Sequence, residues 1–292
     1  MLEQVNPGND GVMNSYRRTP KLSVEAAITR LGPVARQSEL LSLGINTRQL
    51  RTAVQDGRVM RVARGHYGLP GVSEWDIYLA RHQARRTCLS KVRELGLWLL
   101  EEPREMHVAA AHGRPIPGCA VHRLAGEPTL LEVLRQCVAC GSDLEALVIL
   151  ESAVVKNKCT IDQLRTEFSR RSDKRARGII EKIDPQSMAI TETVGRSRLR
   201  DAGLNVQGQA YVRDAGHLDL LVDGVLGIEG DGKEYHDTES GWAEDLRKDT
   251  MYVLRGMWRL RIPAAVVLYQ PEVMLRWVRQ ALAMIRSAPR SG

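Results

Sequence analysis

The chain has 292 residues, with 42 Lys and Arg against 35 Asp and Glu and a formal net charge of +7. At 43% hydrophobic and 26% charged residues, it has an ordinary globular composition and room for two or three domains. No apolar run approaches the roughly 20 residues of a membrane span, and the Arg-rich surplus suits phosphate groups, so the composition favours a nucleic-acid partner over a membrane.

Residues 1–20, with Pro7-Gly8-Asn9-Asp10-Gly11, read as a flexible arm. Arg17 and Arg18 on it can touch DNA, although a plain tail is the simpler account. Residues 21–70 read as three short helices and a hairpin. Ser23 caps a helix carrying Val24, Ala27, Ile28 and Leu31, and Gly32-Pro33 breaks it. A second helix runs from about Arg36 to Leu43 and ends at Gly44. Asn46 opens a third, with Gln49 completing a capping box. Two strand-like pieces follow, joined at Arg64-Gly65. This outline is that of a winged helix-turn-helix DNA-binding domain. Thr47, Arg48, Gln49, Arg51 and Thr52 on the third helix face base edges and phosphates, with Arg58, Arg61 and Arg64 on the wing. A small helical module with a solvated basic face is the rival account.

Residues 71–184 read as a middle α+β domain. Helices are expected at 75–88, 89–100, 130–138, 143–155 and 161–169, with strands at 106–110 and 119–123. Ser142 and Thr160 are helix caps. Five cysteines, Cys88, Cys119, Cys137, Cys140 and Cys159, are an odd number in a long chain with no signal peptide before them. A reduced cytoplasm is therefore expected. Cys137-Val-Ala-Cys140 is a lone pair without a second pair at zinc spacing, so its cysteines read as packing residues. His107, His112 and His122 can cluster across the two strands, though hydrogen bonds to loops are the simpler expectation. The basic run Arg170, Arg171, Lys174, Arg175 and Arg177 reads as a solvated helix face or a phosphate track.

Residues 185–288 follow the order α-β-β-β-α-β-α, which predicts a mixed sheet flanked by helices. Two apolar strands meet at Asp223-Gly224, and each carries an acid, Asp219 and Glu229. A buried carboxylate is costly without a metal or partner charge. Two acids across a hairpin can hold Mg²⁺ beside a phosphodiester, with Mn²⁺ as a substitute. Both must then share a face. A strict two-residue turn would place Asp219 opposite Ile228, so an odd-length connection such as Asp223-Gly224-Val225, with Gly224 at positive φ, is predicted. Asp231 follows on the same face. His236 is a candidate base, Lys233 a candidate charge stabiliser, and Glu192 a further acid. The simpler account makes the Asp-Gly pairs turns and Lys233 and His236 surface groups.

Leu218-Asp219-Leu220, Ile228-Glu229-Gly230-Asp231-Gly232-Lys233-Glu234-Tyr235-His236 and Asp245-Leu246-Arg247-Lys248-Asp249 resemble the endonuclease-like domain related to very-short-patch repair endonucleases, in the PD-(D/E)XK superfamily. The resemblance implies that Asp219 and Glu229 hold Mg²⁺. Asp231 stands where the superfamily has its catalytic lysine, and Gly230 replaces a branched apolar residue. The stretch from Ala35-Arg-Gln-Ser-Glu-Leu-Leu through Arg64-Gly-His-Tyr-Gly resembles the winged-helix domain of AbiEi-type antitoxins of toxin–antitoxin systems. Together these imply an α+β DNA-binding protein with a metal-dependent endonuclease domain and a role in defence or mobile-element biology. The rival is an antitoxin-like transcriptional regulator whose nuclease fold is inactive. A cognate toxin bound through the middle domain, or a homodimer, are the further partners expected.

Overall fold

The computed structural model describes residues 22–231 and 239–287, with the side chains of residues 231 and 239–245 left out. The expected arm at 1–20, with Arg17 and Arg18, lies outside the described residues. The chain is a mixed α+β protein with several small sheets. It separates into two compact units between Arg85 and Arg86. The sequence instead suggested divisions at 70/71 and 184/185.

In the first unit, α1 (Val24–Leu31) is capped by Ser23, whose Oγ accepts from the Ala26 amide at 3.1 Å. A three-residue strand, β1 (Val34–Arg36), follows; it is too short to carry a periodic signal. Next come α2 (Gln37–Ser42) and α3 (Thr47–Gln55). The Asn46–Gln49 capping box forms, with reciprocal bonds of 2.9 and 2.8 Å. Strands β2 (Met60–Ala63) and β3 (His66–Gly68) make an antiparallel hairpin turned by Arg64 and Gly65, and Gly65 adopts φ 72°. The sheet order is β1-β3-β2. Ala27, Ile28, Ala35, Leu40, Ile45, Leu50 and Ala53 form the core beneath it. Helix α4 (Glu74–Arg81) is shorter than the predicted 75–88 helix. It stops because Gln83 takes a left-handed φ of 54°, which no α-helix contains.

Strand β4 (Arg85–Arg86) lies at the junction. The predicted helix at 89–100 is absent. A single 3-10 turn at Cys88–Lys91 stands there, followed by turns. Cys88 at φ 51° and Gly96 at φ 67° bracket the segment and interrupt helical geometry. Its backbone bonds elsewhere: the Trp98 amide donates to Ser152 Oγ at 2.8 Å. Strands β5 (Met106–Ala109) and β6 (Cys119–His122) pair in parallel. Then come α5 (Leu130–Cys140), α6 (Asp143–Val155), α7 (Ile161–Glu167) and α8 (Lys174–Ile180). Thr129, Ser142 and Thr160 cap the first three, each in a reciprocal box with Glu132, Glu145 or Gln163.

The basic run is partly consumed by structure. Arg175 donates to the Gly141 carbonyl at 2.7 Å and pairs with Asp143 at 2.6 Å. Arg177 donates to the Phe168 carbonyl at 3.2 Å. These two guanidiniums close helix ends, so they are not a free phosphate track.

The last part contains α9 (Ile190–Asp201), β7 (Val206–Val212), β8 (Gly216–Val222), β9 (Leu226–Asp231), α10 (Glu239–Leu254), β10 (Trp258–Pro263), α11 (Ala264–Tyr269) and α12 (Pro271–Ser287). The sheet order is β10-β9-β8-β7. Strands β7, β8 and β9 are antiparallel neighbours, and β10 joins β9 in parallel. The mixed sheet expected from the element order is therefore present, with α11 as an added short helix. Val194, Leu199, Leu220, Ile228, Ile262, Met274 and Val278 pack α9 and α12 onto one face. Leu218 and Tyr252 pack the α10 side.

Helix α6 ties this sheet to the helices before it. Glu151 is fully buried in its middle and accepts from Arg196 of α9, from Thr193 Oγ1 and from the Asp184 amide at 2.8 Å. Arg196 also donates to Ser187 Oγ at 2.7 Å. A buried ion pair is tolerable only when its lone pairs and protons are satisfied in this way. The segments expected as separate domains over 71–184 and 185–288 share this core within one unit.

Candidate functional site

The β8–β9 hairpin pairs Val222 with Leu226, Leu221 with Gly227 and Leu220 with Ile228. The connection is therefore Asp223-Gly224-Val225, of the odd length the shared-face argument requires. Asp223 and Gly224 adopt φ 49° and 72°, and Asp223 accepts from the Asn205 amide at 3.1 Å. An Asp–Gly sequence tolerates these left-handed angles better than other pairs. Continued one step, this register would set Asp219 opposite Glu229, but the pairing itself stops at Leu220–Ile228.

The regular ladder ends at Leu220, and Asp219 replaces its next bond. Asp219 Oδ2 accepts from the Gly230 amide at 3.0 Å. Leu218 packs with Tyr252, whereas Leu220 packs with Val194 of α9. Asp219 thus sits where the strand passes from one core layer to the other. Burial pushes its carboxyl above the usual range, against the pull of the Gly230 amide, Arg259 and Lys248.

Glu229 lies beside Arg259 of β10, 3.2 Å away. Arg259 also pairs with Asp249 and lies over the Tyr252 ring. Burial raises the Glu229 carboxyl, Arg259 lowers it, and Asp219 raises it further. The Tyr252 phenol is pushed up to about 12, first by burial and then by Glu229. The sequence reading missed Arg259 as the countercharge to Glu229, because their approach depends on the parallel β9–β10 pairing.

On the α9 side, Glu192 is 5% exposed and its carboxyl is pushed up to about 7. Burial is the main cause, opposed by bonds to Glu192 Oε2 from Gln209 Nε2 at 2.8 Å and the Met188 amide at 3.1 Å. The Asp219 charge raises it further. Glu192 and Asp219 line one small cavity with Thr191, Gly195 and Gly230. The cavity is about 10 Å³, room for about one water. Helix α9 comes this close because the strand residue is glycine. A Cβ on Gly230 would lie 3.1 Å from Thr191 Oγ1.

These carboxylates fit a hard divalent cation in part. Two raised, neighbouring acids suit an oxygen-ligated ion that keeps several waters. Glu192, Asp219 and Glu229 do not converge as a three-acid cage within 4.8 Å. Glu192 is therefore placed beside Asp219, not as a third ligand to the same point. Lys233 and His236 lie outside the described residues, as does the Asp231 side chain.

In the first unit, Thr47, Arg48, Arg51 and Thr52 are exposed along α3, and Arg61 and Arg64 are exposed on the hairpin. Two candidates are already engaged. Gln49 spends its carbonyl on the Asn46 amide, and Arg58 pairs with Glu25 and Asp56.

A separate cluster was legible only in part: His107 and His122 meet across β5 and β6 as the sequence allowed, but the two cysteines beside them were not expected. Cys88, His107, His122 and Cys140 place one ligand atom each within 4.8 Å of one another. Burial pushes the Cys140 thiol up to about 12, with Cys88 adding to it, and pushes His122 down. Cys137 stands outside this set, and its contact with Cys88 is the main cause of the raised Cys88 thiol. His112 also stands apart, accepting from the Arg114 amide at 2.9 Å.

The chain matches no protein-family model and no curated protein. No described helix is long and apolar enough to cross a membrane.

Proposed function

We propose that this is a DNA-binding protein whose second unit hydrolyses phosphodiester bonds with Mg²⁺ held at Asp219 and Glu229. The observation that carries the proposal is the three-residue hairpin connection, whose register, continued one step past Leu220–Ile228, brings the half-buried Asp219 and Glu229 together where the ladder opens. It accords with the resemblance to PD-(D/E)XK endonuclease-like domains. The first unit, with three helices and a β1-β3-β2 sheet, supports a winged-helix reader.

Bound Mg²⁺ would supply a polarised water and neutralise charge on the phosphodiester. The Gly230 amide fixes one oxygen of Asp219 and so sets the carboxylate plane. Glu192, poised near neutrality, can take or return a proton beside Asp219. Arg259, paired with Glu229 and Asp249, would keep positive charge beside the Glu229 carboxylate. Lys233 and His236 remain candidate helpers on the segment after β9.

The test is cleavage of supercoiled, linear and single-stranded DNA with Mg²⁺, Mn²⁺ or EDTA. Metal-dependent cutting that disappears in both Asp219→Asn and Glu229→Gln is the expected result. The Glu229–Arg259 ion pair favours a second reading, an antitoxin-like regulator in which Arg259 already compensates the acid and no metal is needed. DNA binding indifferent to metal, with no cutting of any substrate, would select it.

A further inference from the structure

We infer that Cys88, His107, His122 and Cys140 form a structural zinc site. The four residues come from four different places: the 3-10 turn at Cys88–Lys91, strand β5, strand β6 and the last residue of α5. Their ligand atoms nevertheless meet within 4.8 Å. His107 Nδ1 lies 3.1 Å from His122 Nε2, and Cys140 Sγ lies 3.9 Å from the same nitrogen. Zinc bonds of about 2.3 Å to sulfur and about 2.0 Å to nitrogen give tetrahedral edges of roughly 3.3–3.8 Å. The observed separations bracket that range.

The surroundings hold the ligands in place. The His107 amide donates to Ser90 Oγ at 2.9 Å, and its carbonyl accepts from the Thr87 amide at 3.0 Å. The His122 carbonyl accepts from the Ala110 amide at 3.0 Å. Cys88 itself sits at φ 51°, a left-handed conformation that costs a non-glycine residue free energy. A simple hydrogen bond between the two imidazoles explains one contact. It does not explain two sulfurs arriving at the same point.

Two thiolates and two imidazoles select zinc over the oxygen-seeking Mg²⁺. Four protein ligands leave no open position, so the ion would join elements and not act on a substrate. Cys140 is exposed, which gives the ion a way in.

The test is metal content of the full chain purified with reductant, followed by Co²⁺ substitution. About one zinc per chain is expected. The Co²⁺ form should show tetrahedral d–d bands and thiolate charge transfer. Cys140→Ser and His122→Ala should each lose the bound metal, while Cys159→Ser and Asp219→Asn keep it. Circular dichroism separates loss of metal from loss of fold, and the exposed Cys140 makes its substitution the milder one. A folded, reduced wild type that takes up neither zinc nor Co²⁺ would overturn the site. So would folded Cys140→Ser and His122→Ala variants that bind as well as wild type.

Discussion

Glu192 is placed to make the second unit less stable as the solution becomes less acidic. Its carboxyl moves from an ordinary 4.5 to about 7 on folding. Between those limits the folded chain holds a proton that the unfolded chain has released. Stability therefore falls as pH rises through this window, and the loss is complete above about pH 7. At about 1.4 kcal/mol per pH unit, the full effect is on the order of 3 kcal/mol. Asp219 and Glu229 are raised by the same cause and add slope of the same sign. Glu192→Gln isolates the one contribution, since an amide oxygen can still accept from the Met188 amide or Gln209. Urea unfolding followed by fluorescence, with Trp98 and Trp277 packed against this core, supplies the assay. The variant should gain on wild type steadily across the window and keep the advantage above it. A wild-type minus variant difference that stays constant with pH would refute the account of Glu192.

Removing either partner of the buried pair, Glu151→Ala or Arg196→Ala, should cost about 3–5 kcal/mol. Glu151→Leu with Arg196→Met should cost less than either single change; unfolding curves that show simple addition would contradict this. Gly230→Ala should cost roughly 1–3 kcal/mol through the crowding at Thr191, and Thr191→Ala should recover part of it by removing the nearest atom. Equal stability of Gly230→Ala and wild type would show that α9 yields freely. Arg48→Ala and Arg51→Ala should each weaken DNA binding and reduce the salt slope by up to about 0.9 per lost phosphate contact. Arg58→Ala should do less, because Glu25 and Asp56 already hold that guanidinium. Fluorescence anisotropy at several salt concentrations decides the order.

The elements with local causes were the ones legible in advance. Ser23, Asn46, Ser142 and Thr160 each act on the amide three residues on, so sequence alone locates these helix starts. The hairpin length followed from side-chain alternation between Asp219 and Glu229. The helix expected over 89–100 failed because apolar spacing says nothing about a left-handed Cys88 or an amide claimed by Ser152. The same limit hid half of the candidate site. Arg259 meets Glu229 through a parallel crossover, and no local pattern connects the two. Likewise, the sulfurs of Cys88 and Cys140 are brought together by four elements, so a search for paired short spacings passes over them.

The order of strands also sets a timetable. Strands β7, β8 and β9 are consecutive antiparallel neighbours and can pair through short turns. Strand β10 reaches β9 only through the α10 crossover, so its pairing is expected to form later. If Arg259 arrives with that last strand, Glu229 would pass the earlier stages of folding without its countercharge. Pulse-labelled hydrogen exchange should find the β7 and β8 amides protected before those of β10. Simultaneous protection would mean that the crossover forms as part of the nucleus. In the expected order, the electrostatics of the acidic pocket are completed only when folding is.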